Sequence, residues 1–287
     1  MIDHAERSSR LGATDVPVIL GLSPRRTQHE LWLEKTNRLE PWAGNDATKI
    51  GNMVEPGLLD YAEDKLGPLD RDVRLWCEDV DYPLAATCDA IVRDSGEVVE
   101  AKSSGLVGPV YGDWGEAGTD EIPDYYLVQV TAQLLCAKTD GGHLFSLLGG
   151  RGVVAYEIPR ADWLCEQIVN RCGEWWETHI VHGVEPELTQ APDLEVVKRV
   201  RREAGKQIGL HPSIAELVEQ WEESKAEAAA AKKNADACKA LLIHKLGDAE
   251  SGEIPGVGEL TYFEQQRKAR HVGACKFRTL RLRKAKA

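Results

Sequence analysis

The 287-residue chain has no apolar stretch approaching the ~20 residues that would cross a bilayer. Its opening segment, MIDHAERSSR, lacks the apolar core of a secretory signal. These absences predict a cytoplasmic protein (the host bacterial cytoplasm, if phage-encoded) with no membrane partner. No C-x-x-C pair occurs, and the seven cysteines are odd in number. That speaks against a disulfide framework, a zinc ribbon or an iron–sulfur cluster and favours free thiols. No internal repeat is visible. Acid is missing from the C-terminal stretch: Gln265 to Ala287 holds nine Lys/Arg and no Asp/Glu. The formal net charge of −12 therefore hides a basic end on a strongly acidic remainder. An acidic average does not exclude nucleic acid, because contact needs only a local basic surface.

Apolar periodicity organises the chain. Thr27 with Glu30 three residues on forms a capping-box pattern and opens a helix over 27–37. A second helix is expected from Asp46 to Lys65, with Leu58, Leu59, Ala62 and Leu66 at helical spacing and Gly67-Pro68 as its stop. Strands are expected over 73–77, 84–92 and 97–103, the last two joined by the turn Arg93-Asp94-Ser95-Gly96. Residues 104–121 are glycine-rich and irregular. Pro123 starts a helix to about Lys138, two strands follow at 143–148 and 153–158, and a tryptophan-bearing helix spans 160–181. Pro186 and Pro192 mark a linker. Residues 212–247, biased to Ala, Lys and Glu, read as a helical arm or coiled-coil segment, followed by short strands and the basic tail. The expected fold is α/β (α+β), a central mixed sheet flanked by helices. The core is expected at 1–187 and a C-terminal appendage of helical arm and short basic β segment at 188–287.

The chemistry concentrates at residues 84–104. In a strand, residues i and i+2 share a face, so Glu100 and Lys102 of VVEAKSS project together beside Val98-Val99. Asp89 stands alone among the apolar residues of LAATCDAIV, and the intervening turn can bring it alongside Glu100. Charges in such settings are costly unless paired or bound to metal. Two converging carboxylates make a hard oxygen site suited to Mg²⁺ or Mn²⁺. A metal there would polarise a phosphodiester and acidify a bound water, while Lys102 stabilised the developing charge. Glu55 in GNMVEPG could add a third acid, and Gln129 and Gln133 share one helical face. Read alone, each feature also has a plainer account: E-x-K as a solvated strand face, Glu55 and the glutamines as surface residues.

Five segments in order resemble the YqaJ-type viral recombinases, relatives of lambda exonuclease among the PD-(D/E)xK nucleases. They are GATDVPVILGLSPRRTQHELWLEKTN (12–37), GNMVEP (51–56), CDAIV (88–92), VEAKSS (99–104) and IPDYYLVQVTAQLLCAKTD (122–140), and the likeness covers roughly residues 7–180. It implies a restriction-endonuclease-like core with Asp89 and Glu100 as metal-binding acids, Ala101 lending its backbone carbonyl, and Lys102 as the catalytic lysine. Glu55 and Gln129 fall on the family's helix glutamate and glutamine. Thr14 falls where the family has a serine that, with an upstream arginine, grips a DNA 5′-phosphate. Arg7 has the matching spacing and Arg10 is the alternative; the tryptophan that usually precedes that arginine is missing here. Gln133, Arg278 and Arg281 are further candidates for DNA contact. The activity implied is Mg²⁺-dependent 5′-to-3′ resection of double-stranded DNA ends, feeding a single-strand annealing protein. A ring-shaped homo-oligomer such as a trimer is implied with it. An endonuclease, or a non-catalytic DNA-binding or scaffold protein of this fold, are the alternatives.

Overall fold

The computed structural model describes residues 4–106, 108–189, 191 and 193–264. The basic tail, including Arg278 and Arg281, lies outside the described residues. Two units divide after Arg202.

In the first unit the chain runs α1 (His4–Ser8), β1 (Leu11–Gly12), a 3₁₀ turn (Ala13–Asp15), α2 (Val16–Ile19), α3 (Gln28–Lys35) and α4 (Asp46–Leu66). There follow β2 (Leu69–Trp76), β3 (Leu84–Val92), β4 (Val98–Ser104), α5 (Asp124–Ala137), β5 (Gly141–Leu148), β6 (Gly152–Pro159), α6 (Asp162–Trp176) and α7 (Leu194–Lys198). The sheet order is β1-β3-β4-β5-β6, with β2 also on β3. β1–β3 and β4–β5 are parallel and the other pairs antiparallel, so the sheet is mixed as expected. One face is covered by α2, α5 and α6 over a core that includes Val98, Val130, Leu134, Leu144 and Ile168. The other is covered by α4 through Leu58, Leu59 and Ala62 on Val99, Ala101 and Phe145. The capping box of α3 forms: Thr27 Oγ1 accepts from the Glu30 amide at 3.2 Å, and Glu30 Oε2 from the Thr27 amide at 2.8 Å. α4 stops at Gly67, whose φ of 89° is one that glycine adopts without steric penalty.

Two expectations shift. β2 starts at Leu69, not near 73; after the buried Leu69 its first half is the exposed run Asp-Arg-Asp, which offers no apolar alternation. The core extends past 187. Glu30 Oε1 accepts from the Asp193 amide, Glu185 pairs with His29, and Leu39 bridges Val200 through flanking bonds of Arg38 and Glu40 to Arg201 and Arg199. The segment from Asp193 is therefore held on the core, and the two units divide after Arg202 rather than after 187. In the second unit, α8 (Ile214–Leu246) has no buried residue, and β7 (Ser251–Ile254) and β8 (Gly258–Thr261) form a hairpin. Among the described residues no helix is long and apolar enough to cross a membrane, and all six described cysteines are free thiols.

Candidate active site

The β3–β4 ladder is short. Only Ala90↔Val99 and Ile91↔Val98 pair, and the register then sets Asp89 against Glu100. At Asp89 the strand changes hand: Leu84, Ala86 and Cys88 belong to the α5-side core, whereas Ala90 and Val92 belong to the α4 side. On the opposite neighbour, Asp72 takes a left-handed φ of 53° and drops out of the β2–β3 register. These are the marks of a bulge-like distortion, which re-aims a side chain. Asp89 uses the opening: its Oδ2 accepts the Ala101 amide at 2.8 Å, occupying the place of a ladder bond.

Glu100 is 2% exposed and its carboxylate is gripped from three sides. Lys102 Nζ and Gln129 Nε2 (2.5 Å) reach Oε1, and Gln133 Nε2 reaches Oε2 at 2.6 Å. α5 supplies both amides because residues four apart share a helical face. Burial, then repulsion from Glu100, pushes the Asp89 carboxyl up to about 8. Burial also raises Glu55, with Glu100 and Asp72 adding to it and Lys102 opposing. Burial works against the Lys102 ammonium, yet Glu100 and Asp89 outweigh it and hold the lysine protonated above its ordinary range. Acid thus exceeds base here, and Lys102 alone does not neutralise it.

That surplus fits a divalent cation of the hard type. No cluster of three or more His, Cys, Asp or Glu side chains forms a complete cage among the described residues. Mg²⁺ does not demand one, since it is commonly held by one or two carboxylates and completed by water and substrate phosphate. Asp89, Glu100 and the Ala101 carbonyl are the donors available.

Beside these residues opens a cleft of about 260 Å³. Ala101, Lys102 and Ser103 come from β4, Tyr125, Tyr126 and Gln129 from α5, and Asn52 and Glu55 from α4. Pro56 lies inside α4 and cannot donate, so the helix cannot use the carbonyl of Asn52 at the cleft wall. Thr14, exposed on the 3₁₀ turn, and Arg25 line the cleft as well.

The N-terminal segment is fixed by buried charge. Asp15 is 1% exposed and accepts from the Gly12 amide at 2.9 Å, pairing with Lys35 at 2.6 Å and Arg26 at 3.1 Å. Burial alone would raise the Asp15 carboxyl; Lys35, Arg26 and Arg7 outweigh it and hold it well below the usual range. Lys35 also donates to the carbonyls of Arg7 (2.8 Å) and Arg10 (2.6 Å), so one ammonium ties three points of the segment that presents Thr14.

The structure brings Asp89, Glu100, Ala101, Lys102, Glu55, Gln129 and Thr14 to one place. It does not bring the two arginines with them. Arg7 lies beside the cleft, near Tyr125, with Nε on Glu34 at 3.0 Å. Arg10 is 4% exposed, bonded to Glu6 and stacked 5.1 Å from the Trp76 ring; burial commits it to the fold. Gln133 is fully buried behind Glu100 and cannot present itself to DNA as expected. Three residues escaped the sequence reading. Arg25 is exposed, stacks 5.4 Å from the Tyr111 ring and makes no ion pair among the described residues. Asp72 adds negative field, and Tyr125 adds a phenol. Arg25, in the Pro24-Arg25-Arg26 run just after the GATD segment, was the one with a visible signal.

Among known proteins, the chain is similar to the uncharacterized protein YqaJ of Bacillus subtilis (strain 168), 26% identical over 256 residues, covering 87% of this chain and 79% of that one. Solved structures are similar as well, two of them described as exonucleases. An alkaline exonuclease, LHK-Exo, from Laribacter hongkongensis has a TM-score of 0.48 at 14% identity, over 62% of this chain and 92% of that one. A phage related exonuclease from Haemophilus somnus 129PT has 0.44 at 13%, over 61% and 96%. The span holding Thr14, Glu55, Asp89, Glu100, Lys102 and Gln129 is also the one that a family model matches: residues 4–140 are similar to the YqaJ-like viral recombinase domain.

Proposed function

We propose that the chain is a metal-dependent DNA exonuclease that resects linear duplex 5′-to-3′ and leaves a single strand for an annealing partner. The observation that carries this is the opened β3–β4 pair: Asp89 and Glu100 converge beside the protonated Lys102, at a cleft whose wall presents Thr14 and Arg25. A bound Mg²⁺ or Mn²⁺, held by Asp89, Glu100 and the Ala101 carbonyl, would neutralise the carboxylates, polarise the scissile phosphodiester and acidify water. Lys102 donates to the attacking water or to the phosphate oxygen that gains charge. Gln129 steadies Glu100 from the cleft side. Glu55, raised by burial, orders water at the α4 wall. Thr14 Oγ1 and the Arg25 guanidinium take the terminal phosphate, with Arg7 held behind them by Glu34. A homo-oligomer, and DNA or partner contact through the second unit and tail, complete the proposal.

The test is digestion of 5′-phosphorylated linear duplex with Mg²⁺ against a closed circular control. Wild type should degrade the linear form only, faster from phosphorylated ends, and Glu100→Ala should abolish it. Cutting of the circle would make the chain an endonuclease. DNA binding without any degradation would make it a scaffold.

A further inference from the structure

Gln133 is 0% exposed and does not line the cleft, so it cannot act by touching substrate. Its amide nitrogen nevertheless makes two bonds that no apolar residue could replace. One reaches Glu100 Oε2 on β4 at 2.6 Å, the other the Thr87 carbonyl on β3 at 3.2 Å. Thr87 precedes Asp89 by two residues, in the stretch where β3 no longer pairs with β4. The side chain spans that gap from α5, tying to the helix the two strands that carry the two acids.

We propose that Gln133 is a positioning residue that sets the separation of Asp89 and Glu100 by bridging β3 and β4 where their ladder is interrupted. This rests on the nuclease reading of the site. Two observations favour it over a packing role. First, the amide oxygen of Gln133 is buried with no hydrogen-bond partner, a cost that a methionine or leucine filling the same space would avoid. Second, Glu100 Oε1 is already satisfied by Lys102 and Gln129, so Gln133 is what fixes the rotation of the carboxylate about its own axis. A group that orients a metal-binding carboxylate from behind acts on affinity and rate together.

The experiment compares the full chain with Gln133→Met, of similar volume without donors, and Gln133→Asn, which keeps the amide but cannot span the gap. Mn²⁺ binding is read by electron paramagnetic resonance without DNA. Mg²⁺-dependent kcat and KM are read on linear duplex, and Tm by circular dichroism. We expect both variants to lose about 10–100-fold in Mn²⁺ affinity and in kcat at saturating duplex, with KM little changed. Wild-type Mn²⁺ affinity and kcat in either folded variant, even at a lowered Tm, would overturn the inference and leave the nuclease reading intact. A wild-type chain that binds Mn²⁺ but degrades no DNA would remove the nuclease reading, and the Mn²⁺ measurements would still decide the role of Gln133. A wild type that does neither overturns both.

Discussion

The two sides of β4 meet different worlds. Val99 and Ala101 face α4 among Leu58, Leu59, Ala62 and Phe145, where the contact is apolar throughout. Glu100 and Lys102 face α5, where two glutamines wait for the carboxylate. Successive residues of one strand thus serve as a dry wall and as a charged floor, a division that the two-residue period of a strand makes possible. The dry side lets the charged side exist. Glu100 can stay buried because its own strand is clamped from behind by packed side chains, and because every oxygen it presents is met. Stability and chemistry should therefore be separable by mutation across a single strand.

Lys102→Met should sharpen the comparison most. It removes the one ammonium at the cleft floor, and we expect about 10³-fold loss of kcat, or roughly 4 kcal/mol, from the missing charge stabilisation. The fold should persist through the Gln129 and Gln133 bonds to Glu100, at a lower melting temperature because that buried carboxylate loses its counter-ion. Phe145→Ala is the mirror experiment. Phe145 is 2% exposed, sits beside Ala101 in the β4–β5 register and meets Tyr61 edge-on at 6.2 Å. Its loss should cost about 3–4 kcal/mol of stability through cavity and transfer terms. The specific activity of the folded fraction should be unchanged. Denaturant melts and kinetics on both variants decide the matter, and a large kcat loss in Phe145→Ala at low temperature would break the division.

A third test concerns the charge that holds the N-terminal segment. The Asp15 carboxylate is held well below its ordinary value, so its contribution to stability is fully present above about pH 4. That contribution is lost as pH falls through the folded value. Asp15→Asn should lower stability at neutral pH by about 3 kcal/mol, leaving Lys35 buried without its counter-ion, and should flatten the acid limb of the stability curve. A variant whose stability still falls as steeply as wild type below pH 4 would count against this. Truncation is a smaller perturbation with a sharp contrast. A chain ending at 187 loses the Asp193, Arg199 and Arg201 bonds to the core and should melt several degrees lower, whereas one ending at 202 keeps them.

The central acids were legible because strand periodicity alone puts Glu100 and Lys102 on one face, and a four-residue turn alone can return Asp89 to them. The α3 cap was legible for the same local reason. What escaped depends on contacts distant in sequence. Gln133 had the right helical spacing, but whether that face met solvent or Glu100 was decided by how α5 lies on the sheet. Arg10 and Arg25 look alike as residues; Glu6 and Trp76 bury one, and the loop after α2 leaves the other in the cleft. The segment 193–202 carries no long periodic signal, because beyond the short helix α7 it is held by a few bonds to Glu30, Arg38 and Glu40.

The smallest expected effect bears on the mouth of the charged side. Arg7 spends its guanidinium on Glu34, and Arg26 is shared between Asp15 and Glu34. Arg25 is the arginine in the cleft without a carboxylate partner among the described residues, which leaves its fork of donors for a phosphate. Arg25→Ala should raise KM on 5′-phosphorylated linear duplex about tenfold, roughly 1.4 kcal/mol, with kcat nearly unchanged, the signature of lost uniform binding. On 5′-hydroxyl ends the same substitution should do little, because the group it serves is absent. Arg7→Ala separates grip from support: it should lower stability through Glu34 as well as weaken binding. If Arg7→Ala alone erases the preference for phosphorylated ends while Arg25→Ala retains it, the terminal phosphate sits deeper than the cleft wall, and Glu34 must release Arg7 when DNA arrives.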